Sequence, residues 1–288
     1  MRFISKRSED RIPTSFTNWV DDPVNRVSEK IGNPEVTGTE LWNTLRGSTK
    51  KKLREALLED QGYICCYCGK RIKDDDNTRI EHLKPKSNHK HLTFDYANLL
   101  ASCQGATKNV IHIVQAGELL ADIAEQYGVN EAYLEEVWVQ ADELELFRKK
   151  YDIENLQAGD RLVIFPEIGE QQHCDNKKGN DEIALTPLQK NCVHYFAYDQ
   201  AGKVILNEAN KTTVISLGLN DNTYLNRLRK KTLDEASYLK TLLIRDFGHS
   251  KSEFNQKRLA LIQKLDAISV QRPKLRPFVF VIIWSLNN

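Results

Sequence analysis

Long apolar runs are missing from this 288-residue chain. The longest, "FVFVIIW" over 278–284, falls far short of the roughly 20 residues that cross a bilayer as a helix. It reads as a buried strand. A charged leader followed by an apolar core is missing too, so no secretory signal is expected and a cytoplasmic location follows. That argues against a binder of extracellular glycans. Internal repeats and low-complexity tracts are absent, which argues against a solenoid or a long disordered linker. Net charge is close to absent, at +1. What is present is an ordinary soluble composition, 40% hydrophobic and 28% charged, in a length that suits one large domain or two smaller ones.

The small net charge conceals a division. Residues 106–172 hold five basic and fourteen acidic side chains, a balance of −9, so the remainder carries +10. An acidic block sits inside a basic host, and a basic surface suits a polyanion such as nucleic acid.

Residues 1–35 read as polar and irregular. In "ELWNTLRGSTKKKLREALLEDQG", 40–62, Leu41, Leu45, Leu53, Leu57 and Leu58 recur at helical spacing. Ser48 or Thr49 is the expected cap of the second helix and Gly62 its end; "KKKLRE" reads equally well as a solvated face. "TRIEHLKPKS", 78–87, reads as a strand entering a loop at Pro85, and "FDYANLLASC", 94–103, carries an apolar stripe. Within the acidic block, 109–129 reads as a strand, a Gly turn and an amphipathic helix. The stretch 131–151 reads as a charged helix, and 156–167 as a turn and a second strand. This block is expected to be a compact unit inserted in the host. Beyond it, "HYFAYDQAGKVI", 194–205, reads as a hairpin about Asp199–Gly202. Residues 220–248 read as a long helix, capped by Asn220 or Asp221 and burying Leu225, Leu228, Leu233, Tyr238, Leu239, Leu242 and Leu243. Its Arg227, Arg229, Lys230 and Lys231 are candidate contacts to nucleic acid or an acidic partner.

Six cysteines without a secretory leader point to a reducing compartment, where clustered cysteines bind metal more often than they pair. In "GYICCYCGKRI" Cys65 and Cys68 have the C-x-x-C spacing of half a zinc site; Cys66 is the alternative to Cys65. With the acidic block removed, "LLASC-QG" joins "HCDNKKGN", and Cys103 and Cys174 come together to supply the other half. Four thiolates in a tetrahedron suit structural Zn²⁺. The alternative is that Cys103 and Cys174 are plain buried thiols, as Cys192 is read to be.

Such a site would hold "IEHLKPKS", "DYANLL" and "CDNKKG" in fixed relation. Phosphodiester hydrolysis needs an activated water, a divalent metal and nearby cations. His82 can take a proton near neutral pH. Glu81 can ligate a hard cation such as Mg²⁺ or Mn²⁺, with Asp175 as a second carboxylate and Asn176 as its alternative. Asn98 offers an amide to orient the imidazole, and Lys84, Lys86, Lys177 and Lys178 are candidate phosphate ligands.

The order of these motifs resembles the zinc-braced HNH (ββα-metal) nucleases, whose pattern is roughly D-H-x-x-P, then N-L, then C-x-x-C-N-x-x-K-G. "EHLKP", "ANLLASC" and "CDNKKG" match it, with Glu81 for the usual Asp and Asp175 where Asn or His is usual. The resemblance implies His82 as general base oriented by Asn98, with Glu81 and Asp175 on the catalytic metal. "MRFISKRSE", "TTVISLGLN" and "RPFVFVIIW" extend the likeness to PtuB-like HNH proteins of retron and Septu antiphage systems. That implies an endonuclease, with DNA the expected substrate and RNA an alternative, working with a PtuA-type ATPase and in some systems a reverse transcriptase with its RNA–DNA product.

The block 106–172 is similar to the LysM module, a βααβ unit, through "IHIVQAGELLADIAEQYGV" and "LQAGDRLVIFP". The fold class that follows is α+β: a zinc-braced HNH core embedded in a mainly helical domain, 1–105 and 173–288, with a small βααβ insert at 106–172. At −9 the insert suits docking a protein partner or gating the basic face. The competing reading of the whole is a catalytically silent, zinc-stabilised nucleic-acid-binding or adaptor subunit.

Overall fold

The computed structural model describes residues 1–75, 77–105, 110–119, 121–123, 138–141, 145–148, 158–159, 161–164, 172–268 and 273–288. The first 35 residues are less irregular than their polarity suggests. They form α1 (Thr14–Asp21) and α2 (Val27–Gly32) and bury Met1, Ile4, Phe16 and Val27 in the main core. Sparse apolar residues suffice here because Met1, Ile4, Phe16 and Val27 point inward, while Val24 is exposed. A short α3 (Gly38–Trp42) follows, closed by a capping box between Thr37 and Glu40.

Helix α4 (Gly47–Asp60) buries Leu53, Ala56, Leu57 and Leu58. It starts two residues before the expected caps: Arg46 takes the N-cap position without a side-chain bond, so Ser48 and Thr49 lie inside the first turn. Gly62 ends it in the left-handed region at φ +62°, as expected, and Tyr63 N donates back to Leu58 O at 2.8 Å.

Strands β1 (Thr78–His82) and β2 (Leu99–Cys103) pair antiparallel, His82 opposite Leu99 and Thr78 opposite Cys103. The acidic block gives β3 (Val110–Ile113), β4 (Trp138–Ala141), β5 (Glu145–Arg148) and β6 (Arg161–Ile164). They form one antiparallel sheet in the order β3-β6-β4-β5. The two outer strands of the expected βααβ unit are therefore present and paired. Within the expected second helix, 131–151, the described residues 138–141 and 145–148 are strands, and the rest lies outside the described residues. "WVQA" and "ELFR" place β-branched or aromatic residues beside polar ones, and cross-strand pairing outweighs the helical preference of the surrounding charges. Of the expected first helix, 121–123 are helical, and Leu119 precedes them outside the helix and 64% exposed; 120 and 124–129 lie outside the described residues.

The host resumes with α5 (Cys174–Lys178), the hairpin β7 (Ala197–Tyr198) and β8 (Val204–Ile205), and α6 (Lys211–Ser216). Then come α7 (Thr223–Phe247), α8 (Lys251–Asp266) and α9 (Val279–Asn287). The cap of α7 is Asn222, whose side chain accepts from Leu225 N, rather than Asn220 or Asp221. On α7 the expected buried Tyr238 is 65% exposed, while Ala236 is fully buried. The run 278–284 is a helix rather than a strand. Val279, Phe280, Val281, Ile282 and Leu286 are buried, divided between the main core and a second cluster formed with Ala236 and Leu265. A segment buried on every side shows no periodicity, so its apolar run cannot distinguish the two states. Among the described residues no helix is long and apolar enough to cross a membrane.

Candidate metal centre and active site

The cysteine turn follows α4 directly. Gln61, buried at its end, donates to Ile64 O and Ala101 O and accepts from Ala101 N at 2.7 Å, tying the turn to β2. Cys65 N then reaches Lys70 O, and Gly69 N returns to Cys65 O. Gly69 sits at φ +76°, and a Cβ there would lie 2.1 Å from the Phe280 ring, so this tight turn requires glycine. Cys103 ends β2. Gly105, two residues on, approaches His173 so closely that a Cβ would meet its carbonyl oxygen at 1.4 Å. That approach places Cys174, the first residue of α5, beside Cys103.

The ligand atoms of Cys65, Cys68, Cys103 and Cys174 all lie within 4.8 Å of one another, and all four residues are buried. Cys65 and Cys174 sulfurs are 3.8 Å apart, as are those of Cys68 and Cys103. A disulfide would bring them to about 2.05 Å. Four sulfurs tetrahedral about zinc at about 2.3 Å stand roughly 3.8 Å from each other. The donor set therefore fits a structural metal such as zinc. Cys65, not Cys66, belongs to it. Burial pushes the Cys66 and Cys174 thiols well above their usual range. Against the same burial, hydrogen bonds from Cys103 and Cys174 hold Cys65 well below that range and Cys68 at about 6. A divalent cation would release the protons that remain.

The sequence reading passed over His173 although it stands beside Cys174. It is buried, its Nε2 lies 3.6 Å from Cys103 Sγ, and its Nδ1 lies 3.4 Å from Asn222 Nδ2. One tautomer satisfies both contacts: Nε2–H donates to sulfur and Nδ1 accepts from the amide. A hydrogen bond of this kind orients a thiolate ligand and tunes its charge.

At the other end of the hairpin, Glu81 is buried and accepts from Tyr67 Oη at 3.0 Å. The Lys178 ammonium lies 2.9 Å from it, and Asp175 hydrogen-bonds to it as well. Burial, reinforced by Asp175, raises Glu81 to about 8 in spite of Lys178. His82 points elsewhere, as neighbours on a strand do. Its Nε2 is 3.0 Å from Thr93 O, and its ring meets Trp42 edge-on at 4.7 Å. Burial and the nearby Lys86 lower it to about 4, so the imidazole is neutral at neutral pH. With Nε2–H donated to Thr93, the Nδ1 lone pair is the acceptor.

Three expected roles change. Asn98 does not orient the imidazole directly. Its amide donates to Lys84 O and Leu92 O and accepts from Lys84 N, bracing the β1–β2 connection, and the contacts on the ring are those of Thr93 and Trp42. Lys178 is not a phosphate ligand: it is buried between Glu81 and His82 O. Arg229 does not face nucleic acid. It is buried and donates to Gly202 O, Asn226 Oδ1 and Leu219 O. Lys84, Lys177 and Asn176 are exposed, and Lys86 and Asp175 are half-buried. Among the described residues, the four cysteines are the group of three or more metal-ligating side chains close enough to share an ion; Glu81 and Asp175 are a pair. Thr93 and Trp42 carried no sequence signal, because each acts through a backbone oxygen or a ring edge. Tyr67, inside C-C-Y-C, could have been singled out as a buried hydroxyl.

No family model matches the chain. It is similar to a protein of Escherichia coli described as "Retron Ec83 putative HNH endonuclease", 30% identical over 115 residues, which is 37% of this chain and 39% of that protein. It is also similar to the "Retron Vc95 putative HNH endonuclease" of Vibrio cholerae serotype O1 biovar El Tor, 40% identical over 99 residues, 33% of this chain and 43% of that one. The chain thus spans about two fifths of the length of these curated relatives, and the likeness is to retron HNH endonucleases.

Proposed function

We propose that this chain is a metal-dependent HNH endonuclease that hydrolyses nucleic-acid phosphodiesters, DNA first among them, as the effector of an antiphage system. The observation that carries the reading is the β1–β2–α5 unit. It is stitched at one end by four cysteines and presents at the other a carboxylate pair beside a neutral imidazole. In this reading Glu81 and Asp175, with Asn176 as the exposed alternative, hold a divalent cation. Bound there, such a cation would supply Lewis-acid stabilisation of the charge that develops on the scissile phosphate. His82 Nδ1 takes the proton of the attacking water while Thr93 and Trp42 keep the ring in place. The P–O bond to the leaving strand then breaks.

The similarity to retron proteins supports a place beside a reverse transcriptase with its RNA–DNA product, and a PtuA-type ATPase is the proposed partner. Residues 1–105 and 173–288 make up the nuclease domain, and the acidic 106–172 an insert that docks a protein partner. The test is plasmid cleavage with Mg²⁺ or Mn²⁺, with and without the ATPase. His82→Ala should lower the rate about 10²–10⁴-fold while zinc content and melting temperature hold. A variant that cleaves like wild type removes His82 as the base.

One observation favours a second reading. The Lys178 ammonium lies against Glu81, where a cation would sit, as in a silent adaptor that keeps the fold without the metal. Full zinc loading with no cleavage of DNA or RNA in any mixture would establish it.

A further inference from the structure

With Lys178 turned inward, the exposed lysines at 84 and 177 are few to hold a polyanion. The other side of His82 is better supplied. Trp42 meets the His82 ring edge-on, and Lys50 Nζ stands 4.7 Å from the centre of the Trp42 ring. The ammonium thus lies over the indole, which in turn meets the imidazole edge to face.

Lys50 and Arg54 are four apart and share one face of α4, and Arg46 stands in extended backbone at its N-cap. Lys86 is held close by: Gly38 approaches its backbone so tightly that a Cβ would lie 2.1 Å from Lys86 O. Burial, then the fields of Arg54, Lys86, Arg79 and Arg46, draw the Lys50 pKa down. Arg54 is paired with Asp74 at 2.5 Å. Among the described residues, Arg46, Lys50, Lys86 and Arg79 have no ion pair within 4.0 Å. An ordinary solvated helix face would answer its charges, as the adjoining Lys51 does with Glu55 at 3.9 Å. Like charges at this spacing cost a helix a few tenths of a kcal/mol per pair. A patch that bears this cost beside a candidate general base is built for an anion.

We propose that Arg46, Lys50, Arg79 and Lys86 form a cradle for the phosphate backbone of the nucleic-acid substrate, with Lys50 next to the phosphodiester that His82 serves. The inference rests on the nuclease reading and adds how substrate is held. Contacts of this kind read charge and not sequence, so binding is sequence-tolerant and falls steeply with salt. An acidic protein is the competing occupant; the position directly over Trp42 and His82 favours the substrate.

The test uses the full zinc-loaded chain without added Mg²⁺ or Mn²⁺, so that binding is read apart from cleavage. Fluorescence anisotropy with a duplex and a single-stranded oligonucleotide is followed from about 50 to 200 mM salt. Lys50→Gln and Lys86→Gln should each reduce the slope of log K against log salt by about 0.9 on duplex or about 0.7 on single strand. Lys51→Gln should leave it unchanged. Wild type that binds with a slope the cradle variants do not alter overturns the cradle and spares the nuclease. Wild type that binds neither oligonucleotide overturns the cradle, and the nuclease reading falls with it only if the plasmid assay also shows no cleavage in any mixture.

Discussion

The two ends of one hairpin-and-helix unit are built on opposite principles. At the Cys103 end four identical donors are buried and closed, and no other polar group is required except His173 behind them. At the His82 end, four residues along a strand that rises about 3.4 Å per residue, every group differs from its neighbour. A carboxylic acid is held near pKa 8, a neutral imidazole near 4, a lysine is sealed in and a carboxylate is half-open. Under the proposed reading, the difference is that between a metal that would hold a structure and a centre that would exchange what it binds. The first reduces to a spacing pattern. The second depends on orientations that no pattern of residue types encodes.

The largest break in that comparison is Cys174→Ser. The cysteines join three separated segments, and structural zinc contributes roughly 10–16 kcal/mol in small zinc modules, comparable to the whole stability of a domain. Zinc measured by a chromogenic chelator should fall below one per chain, with loss of soluble, folded protein. A variant that keeps full zinc would separate Cys174 from the site. Next in size is Lys178→Met. At pH 7 Glu81 keeps its proton, so what is lost is a buried charge-assisted hydrogen bond, about 1.5–3 kcal/mol, read by urea denaturation. The loss should grow above about pH 8, where the carboxylate would be left unpaired. If Lys178 merely holds the place of a cation, Mg²⁺ will raise the melting temperature of Lys178→Met more than that of wild type. An equal response would mean that the ammonium and the metal do not compete.

The pH dependence distinguishes the two ends more finely. Glu81 keeps its proton up to about 8 in the fold and loses it near 4.3 unfolded, as about the value for a free side chain. The folded state therefore binds more protons in that window, and stability falls as pH rises through it. His82, lowered to about 4, acts in the opposite sense, adding stability as pH rises from about 4 to about 6.5. Above about 6.5 only Glu81 remains, so melting temperature should decline toward pH 8. Glu81→Gln should remove the decline, and saturating Mg²⁺ should flatten it by favouring the carboxylate. Cleavage should rise over the same range, following the carboxylate rather than the imidazole. An acid limb centred near 4 would give that role to His82.

The sequence is most legible where one geometry serves one residue type. C-x-x-C, the removal of an acidic block and the reunion of Cys103 with Cys174 lead to the zinc set without coordinates. "TRIEH" and the hairpin at Asp199–Gly202 follow from alternation and turn chemistry. The failures share a cause, which is competition settled by tertiary contacts. "FVFVIIW" had two ways to be buried, and packing between two cores selects the helix. Lys178 and Arg229 resemble surface cations until the fold supplies Glu81 for the first and three oxygen acceptors for the second. Asn98 has the residue type expected beside a catalytic histidine, yet its amide is spent on Lys84 and Leu92.

The smallest expected effect is also the finest probe of the closed end. Cys66 lies between two ligands, is as buried as they are, and donates its backbone N–H to Ala101 O. Its thiol is pushed up by burial and then by its neighbour Cys65, so it stays protonated and is a poor ligand. Cys66→Ala keeps the backbone bond and removes one sulfur from the core, at a cost of about 1 kcal/mol. One zinc per chain and an unchanged chelator-release rate should accompany that small loss. If zinc is released faster, Cys66 shares the metal with Cys65, and the closed end is less rigid than its four short sulfur contacts imply.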